Sequence, residues 1–361
     1  MKKNLNWGLL SSYRTELYGI ATLMIMIFHC QTIIPVSGIF NAVNIHLSFG
    51  VDVFLLLSGI SLYFSYSKDG NYGKFIKKRC ERTLLPYLLI ALLYWIWKNL
   101  IAEFDILEFL YNISGLSLFL VRNDGWLTLG NPKIWYVSFI MLMYAVYPLI
   151  YKALFTVPEK RRKINLVLML SASVIGAVFI RYYTPSTYAA TEVEITRIPV
   201  FLIGCYLGKK VKENDKFTLS DYILFFSCIP IKLVISLFIN PVTDDIVFHR
   251  YLGFFASFLI CFAAVFVLET VKNIKQISKP LKGLLSFFGK MSLEIYITHV
   301  LMYNVVLYYF PTIRNSELYT FSQKIMIYAG ILIISIVLSC IFRKITNVII
   351  RTRRKQKNEI S

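Results

Sequence analysis

The sequence predicts an all-α polytopic membrane protein, a bundle of about ten transmembrane helices with both termini cytoplasmic. Three observations carry this. Hydrophobic residues make up 57% of the 361 and charged residues only 16%, with a mean hydropathy of +0.61, outside the balance of soluble domains. Apolar runs near the length of about 20 residues needed to cross a hydrocarbon core of roughly 30 Å recur along the chain. Basic residues gather in alternate connections, and positive charge marks the cytoplasmic side.

The runs lie near residues 16–34, 45–66, 84–102, 133–151, 164–183, 196–209, 221–239, 250–270, 284–309 and 324–345. The first follows Lys2, Lys3 and Arg14, and the second ends at Lys68, Lys74, Lys77, Lys78, Arg79 and Arg82. Pro86 opens the third, a position where its missing N–H costs nothing. The fourth and fifth flank Lys152, Lys160, Arg161, Arg162 and Lys163. The sixth, "ITRIPVFLIGCYLG", is the shortest, but without it "KKVKENDK" would face outward and every later loop would invert against the charge rule. Lys272, Lys275, Lys279 and Lys282 separate the eighth from the ninth, and the tenth leads to Arg343, Lys344 and "RTRRKQK". The outer connections hold little positive charge: Arg122, Arg250 and Arg314, with Lys133, Arg181, Arg197 and Lys324 at helix edges.

This gives one membrane domain over residues 1–350 and a basic cytoplasmic tail over 351–361. The outer connection 103–132, rich in Phe and Leu, is expected to form a cap or half-helix. "MKKNLNW" precedes an apolar run without an A-x-A-like cleavage site, so the first helix is expected to be retained. The net charge of +19 is assigned to topology and anionic lipid attraction rather than to nucleic acid. Six cysteines are scattered without metal-ligand spacing, so neither a disulfide nor a metal is expected. Trp7, Trp95, Trp97, Trp126 and Trp135 stand near span ends and read mostly as interfacial belt residues.

Within these spans a few ionisable residues stand out. At 1.5 Å per residue, His29 lies about 20 Å up from the inner face, Asp52 about 10 Å below the outer face, and His299 about 22 Å up. The three are nearly level in the outer half, and charge in lipid is costly enough that such residues normally face a cavity or the bundle interior. A histidine suits proton exchange with a hydroxyl acceptor, and Asp52 or His299 could orient or assist it. The plainer alternative is that the histidines only tie helices together by hydrogen bonds. Lys232 and Glu294, also near mid-membrane, could satisfy one another. On the inner side Lys77, Lys78, Arg79 and Arg82 gather before Pro86; they are either topogenic or a phosphate site, since guanidinium groups bind phosphate oxygens bidentately.

The motifs "RTELYGIATLMIMIFH", "FGVDVFLLLSGISL", "FIKKRCERTLLPYL", "IWYVSFIMLMYAVYPLI", "FLIGCYLGK" and "FFGKMSLEIYITHV" occur in that order, and the chain resembles the integral-membrane acyltransferase 3 family over nearly its full length. That resemblance implies ten spans and transfer of an acyl group, commonly acetyl from acetyl-CoA or another acyl-CoA, to a hydroxyl of an extracytoplasmic glycan or lipid-linked saccharide. It implies no metal and a multi-pass place in the plasma membrane of a bacterium. It also implies that His29 is the catalytic histidine and that Arg79 and Arg82 form the family's R-x-x-R element. One position departs: the family arginine eleven residues before the histidine is Tyr18 here. Arg14, one turn earlier on the same face, is the candidate to bind the donor instead. A glycan transporter or flippase is the rival reading, because it too would place polar residues in a cavity among many spans. The acceptor and the oligomeric state are not legible in the sequence.

Overall fold

The computed structural model describes residues 6–34, 38–101, 106, 110, 134–234, 246–313 and 318–360, and every regular element among them is helical. In chain order they are α1 (Leu9–Ser12), α2 (Arg14–Phe28), α3 (Gly38–Leu47), α4 (Gly50–Tyr66), α5 (Tyr72–Arg79), α6 (Leu85–Ile101), α7 (Trp135–Phe155) and α8 (Glu159–Tyr183). There follow α9 (Pro185–Ile195), α10 (Ile198–Glu213), α11 (Leu219–Val234), α12 (Ile246–Val271), α13 (Lys275–Lys290), α14 (Ser292–Tyr309) and α15 (Phe321–Ile360). The expected outer segment 103–132, with Trp126, lies outside the described residues apart from Ile106 and Leu110.

Each expected apolar run overlaps one of these helices. Among the described residues, five stretches are long and apolar enough to cross a membrane: Val43–Tyr66, Trp135–Phe155, Glu159–Tyr183, Gly253–Val271 and Phe321–Arg353. The sixth run forms the 16 residues of α10, about 24 Å of helix, short of a 30 Å core. The expected ninth span is two helices, α13 and α14, broken at Met291. The basic tail continues α15 without interruption as far as Ile360.

Two compact units divide the chain: Met1–Met24 with Ser48–Phe75 and Met143–Lys290, and Ile25–Leu47 with Ile76–Leu142 and Met291–Ser361. In the first, α4 and α10 pack backbone against backbone. A Cβ built on Gly204 would stand 2.3 Å from the Leu56 carbonyl oxygen, and one on Gly59 would stand 2.6 Å from that of Phe201. Nothing larger than glycine fits either place, and small residues let membrane helices approach in this way. The second unit joins α14 to α15 by polar contacts: Thr298 Oγ1 lies 2.8 Å from Ser339 Oγ and donates to the Ser335 carbonyl at 3.1 Å. Glu294 pairs with Arg343 at 3.6 Å; the side chain of Lys232, the partner suggested by the sequence, lies outside the described residues.

The tryptophans differ from the belt reading. Trp7, Trp95 and Trp135 are buried. Trp7 stands edge-on to Phe217 and Phe262 and donates its indole N–H to Asp221 at 3.3 Å. An indole with an aromatic box and a carboxylate to satisfy its N–H gains more from burial than from an interface.

Candidate functional site

α2 is regular to Phe28 and then tightens into a 3-10 turn, His29–Thr32. Pro35 follows, and the residue before a proline is steered away from helical conformation, so the helix cannot run on past this turn. Ile33 and Ile34 both return their N–H groups to the Cys30 carbonyl, at 3.0 and 2.8 Å. His29 therefore stands on the first residue of a tight turn instead of mid-helix, and its side chain is half-buried.

The structure brings His29 and His299 together. Nδ1 of His29 lies 2.8 Å from Nε2 of His299, and Nδ1 of His299 lies 2.7 Å from the Ile295 carbonyl oxygen. A carbonyl only accepts, so His299 carries its proton on Nδ1. In the neutral ring Nε2 of His299 is then an acceptor, and His29 must donate from its own Nδ1. Both ring nitrogens of His299 are thereby engaged, and His29 is the member of the pair that donates into it. The order Ile295 carbonyl, His299, His29 fixes the tautomer of both rings.

Aromatic rings wall the pair. His299 is 1% exposed, and Tyr303 stands edge-on to both imidazoles, with ring centroids 6.1 Å from His29 and 5.7 Å from His299. Tyr303 stacks on Tyr328, whose hydroxyl donates to the Met26 carbonyl. Exclusion of water strengthens the hydrogen bonds along the relay.

Asp52 belongs to the other unit and has a different partner. It is fully buried in the first turn of α4, and its Oδ1 lies 3.4 Å from Nε of Arg197, itself 5% exposed. Arg197 caps the start of α10 and also donates to the Val193 carbonyl at 2.9 Å. Gly253 leaves room for the carboxylate, because a Cβ there would stand 2.5 Å from the Asp52 carboxyl carbon. Close by in sequence to Arg197, Glu192 pairs with Arg250 at 2.5 Å. From the sequence Arg197 and Arg250 read only as helix-edge or loop charges; the available signal was an arginine inside the weakest apolar run.

Of the basic residues, Arg14 donates to Ser61 Oγ at 3.4 Å, and Tyr18, where the family has arginine, stacks on Phe54 with centroids 5.6 Å apart. Lys78, Arg79 and Arg82 belong to the second unit. Arg79 ends α5 and is half-buried, while Lys78 and Arg82 are exposed. Cys80–Leu84 is a single π turn. Pro86 can neither donate to the Arg82 carbonyl nor tolerate it close by, so the chain widens just where the two arginines stand, and such π turns are frequent at functional sites. Burial pushes the Cys80 thiol above its ordinary range, which leaves it a poor nucleophile. At the base of α2, burial and a hydrogen bond to Glu269 raise the Tyr13 hydroxyl well above the usual phenol range.

These features define a helical membrane protein with a wired histidine pair and a separate basic turn. Residues 18–344 match the acyltransferase 3 family model, described as an acyltransferase domain. The chain belongs to that family and is a membrane acyltransferase by membership. No curated protein and no solved structure matches it.

Proposed function

We propose that this protein is an O-acyltransferase that moves an acyl group, acetyl in the first instance, from cytoplasmic acyl-CoA to a hydroxyl of an extracytoplasmic glycan or lipid-linked saccharide. The observation that supports it most is the hydrogen-bonded pair itself, His29 Nδ1 to His299 Nε2 at 2.8 Å with the Ile295 carbonyl 2.7 Å behind it; Nε2 of His29 is the proposed base. Nε2 takes the hydroxyl proton as the acceptor oxygen attacks the thioester carbonyl. The C–O bond forms, the C–S bond breaks, and the departing thiolate recovers the proton from His29. While His29 is protonated, its Nδ1–H points at the His299 lone pair, and the Ile295 carbonyl holds His299 in the orientation that accepts it. A positioned base of this kind contributes about 10²- to 10⁴-fold in rate.

The donor is proposed to bring its phosphates to Lys78, Arg79 and Arg82, whose charges suit a polyphosphate. The protein is proposed to reside in the plasma membrane, and the charge distribution of its loops supports an orientation with both termini inside.

The test is release of free thiol from acetyl-CoA by the purified protein in lipid nanodiscs, with and without candidate glycans. Glycan-dependent release that is lost in His29→Ala is the expected outcome. Equal release from both proteins removes His29 from the chemistry, and movement of glycan across the bilayer without any thiol release favours a flippase.

A further inference from the structure

His29 stands where a regular helix gives way to a tight turn, and a helix end leaves carbonyls without backbone partners. Phe28, the last residue of α2, and Gln31, inside the turn, both present oxygens to one side chain. Asn44 of α3 is 3% exposed, and its Nδ2 donates to the Phe28 carbonyl at 3.1 Å and to Gln31 Oε1 at 3.2 Å. Its Oδ1 faces the Cys30 thiol, with a sulfur to oxygen distance of 4.0 Å. One buried amide thus touches residues 28, 30 and 31, on both sides of the histidine.

We infer that Asn44 is a positioning residue for His29, its amide closing the end of α2 and setting the turn that points Nδ1 of His29 at His299. This rests on the reading of His29 as the base. The chemistry requires a carboxamide. Both N–H groups meet oxygens that only accept, while the amide oxygen meets a weak donor, so neither a carboxylate nor an apolar side chain of the same size reproduces the set. All the groups involved, with His299, lie in one compact unit, so the effect of Asn44 on the imidazole is local. A shift of about 1 Å at a reacting group is enough to cost on the order of 10²-fold in rate. Asn44 touches neither imidazole in the contacts described, so its influence is on geometry.

The experiment compares Asn44→Asp, Asn44→Gln and wild type as monodisperse protein in nanodiscs, measuring kcat, KM for acetyl-CoA and for the acceptor, and the pH dependence of kcat/KM. Asp keeps the size but sets an oxygen against the Phe28 and Gln31 oxygens, whereas Gln keeps the donor group. The expected result is a fall in kcat of at least tenfold for Asn44→Asp with both KM values within about twofold, a displaced acidic limb of the pH profile, and a smaller loss for Asn44→Gln. A kcat within twofold of wild type and an unmoved pH profile in Asn44→Asp overturn the inference, even if the variant melts earlier. Should Asn44→Asp not assemble, Asn44→Ser, which keeps a hydroxyl donor, takes its place under the same criteria. A His29→Ala control separates the two failures: an active control sinks the base reading itself, whereas an inactive control beside unimpaired Asn44 variants sinks only the role of Asn44.

Discussion

The first compact unit buries an acid–base pair, the second joins two histidines, and the two pairs differ in kind. Asp52 and Arg197 close on each other, 0% and 5% exposed and 3.4 Å apart. His29 and His299 have no opposite charges to neutralise: one hydrogen bond of 2.8 Å joins them, with the Ile295 carbonyl 2.7 Å behind His299. In a closed ion pair each charge is held against its partner, and removing one leaves the other buried alone. A hydrogen-bonded pair of imidazoles is suited to take a proton in and hand it on. Burial of polar groups alone therefore does not mark chemistry in a membrane bundle; the chemical kind of the pair does.

The largest expected effect is at His29. His29→Ala should lower the transfer rate by about 10³-fold, within the range for loss of a general base, with acetyl-CoA binding retained in equilibrium titration. Arg197→Ala should act on the other pair and on stability instead. Removing one partner of a buried ion pair costs about 3–5 kcal/mol, read as a drop in thermal midpoint in nanodiscs. The double change Asp52→Leu with Arg197→Met should recover most of that loss. If the double variant is stable and also inactive, the comparison breaks, because the ion pair would then serve the reaction.

Next comes His299→Phe, which keeps a ring but removes the acceptor for His29 Nδ1; kcat should fall by about 10²-fold, and stability should stay near that of wild type. The smallest effect expected is at the helix contact beneath the ion pair. Gly204→Ala places a methyl 2.3 Å from the Leu56 carbonyl oxygen, an overpacking worth about 1–3 kcal/mol. Thermal unfolding checks it, and an unchanged midpoint would show that α4 and α10 separate without cost.

Much of this contrast was legible in the sequence, and the remainder follows from physical terms that a linear pattern lacks. His29, Asp52 and His299 stand out because ionisable groups are rare in apolar runs, and counting residues from the run ends set the two histidines at similar heights. The helical class came from composition and run length. The break at Met291 did not, because 284–309 is apolar on both sides and a helix interruption between apolar stretches leaves no mark on hydropathy. The partner of Asp52 was missed for a related reason. Arg197 stands near the edge of a short run, where arginines usually reach water, and only the close packing of α4 on α10 draws it inside. The tryptophans were misread because a belt residue and a buried one with a hydrogen-bond partner share the same place in sequence, as Trp7 with Asp221 shows.

The most direct measurement follows labelled acetyl from acetyl-CoA into a hydroxyl-bearing glycan in a single turnover, for wild type and His29→Ala in the same nanodiscs. The account predicts an ester-linked label on the glycan with wild type and a rate lower by about 10³-fold in the variant. Label appearing on the glycan at equal rates with both proteins would contradict it.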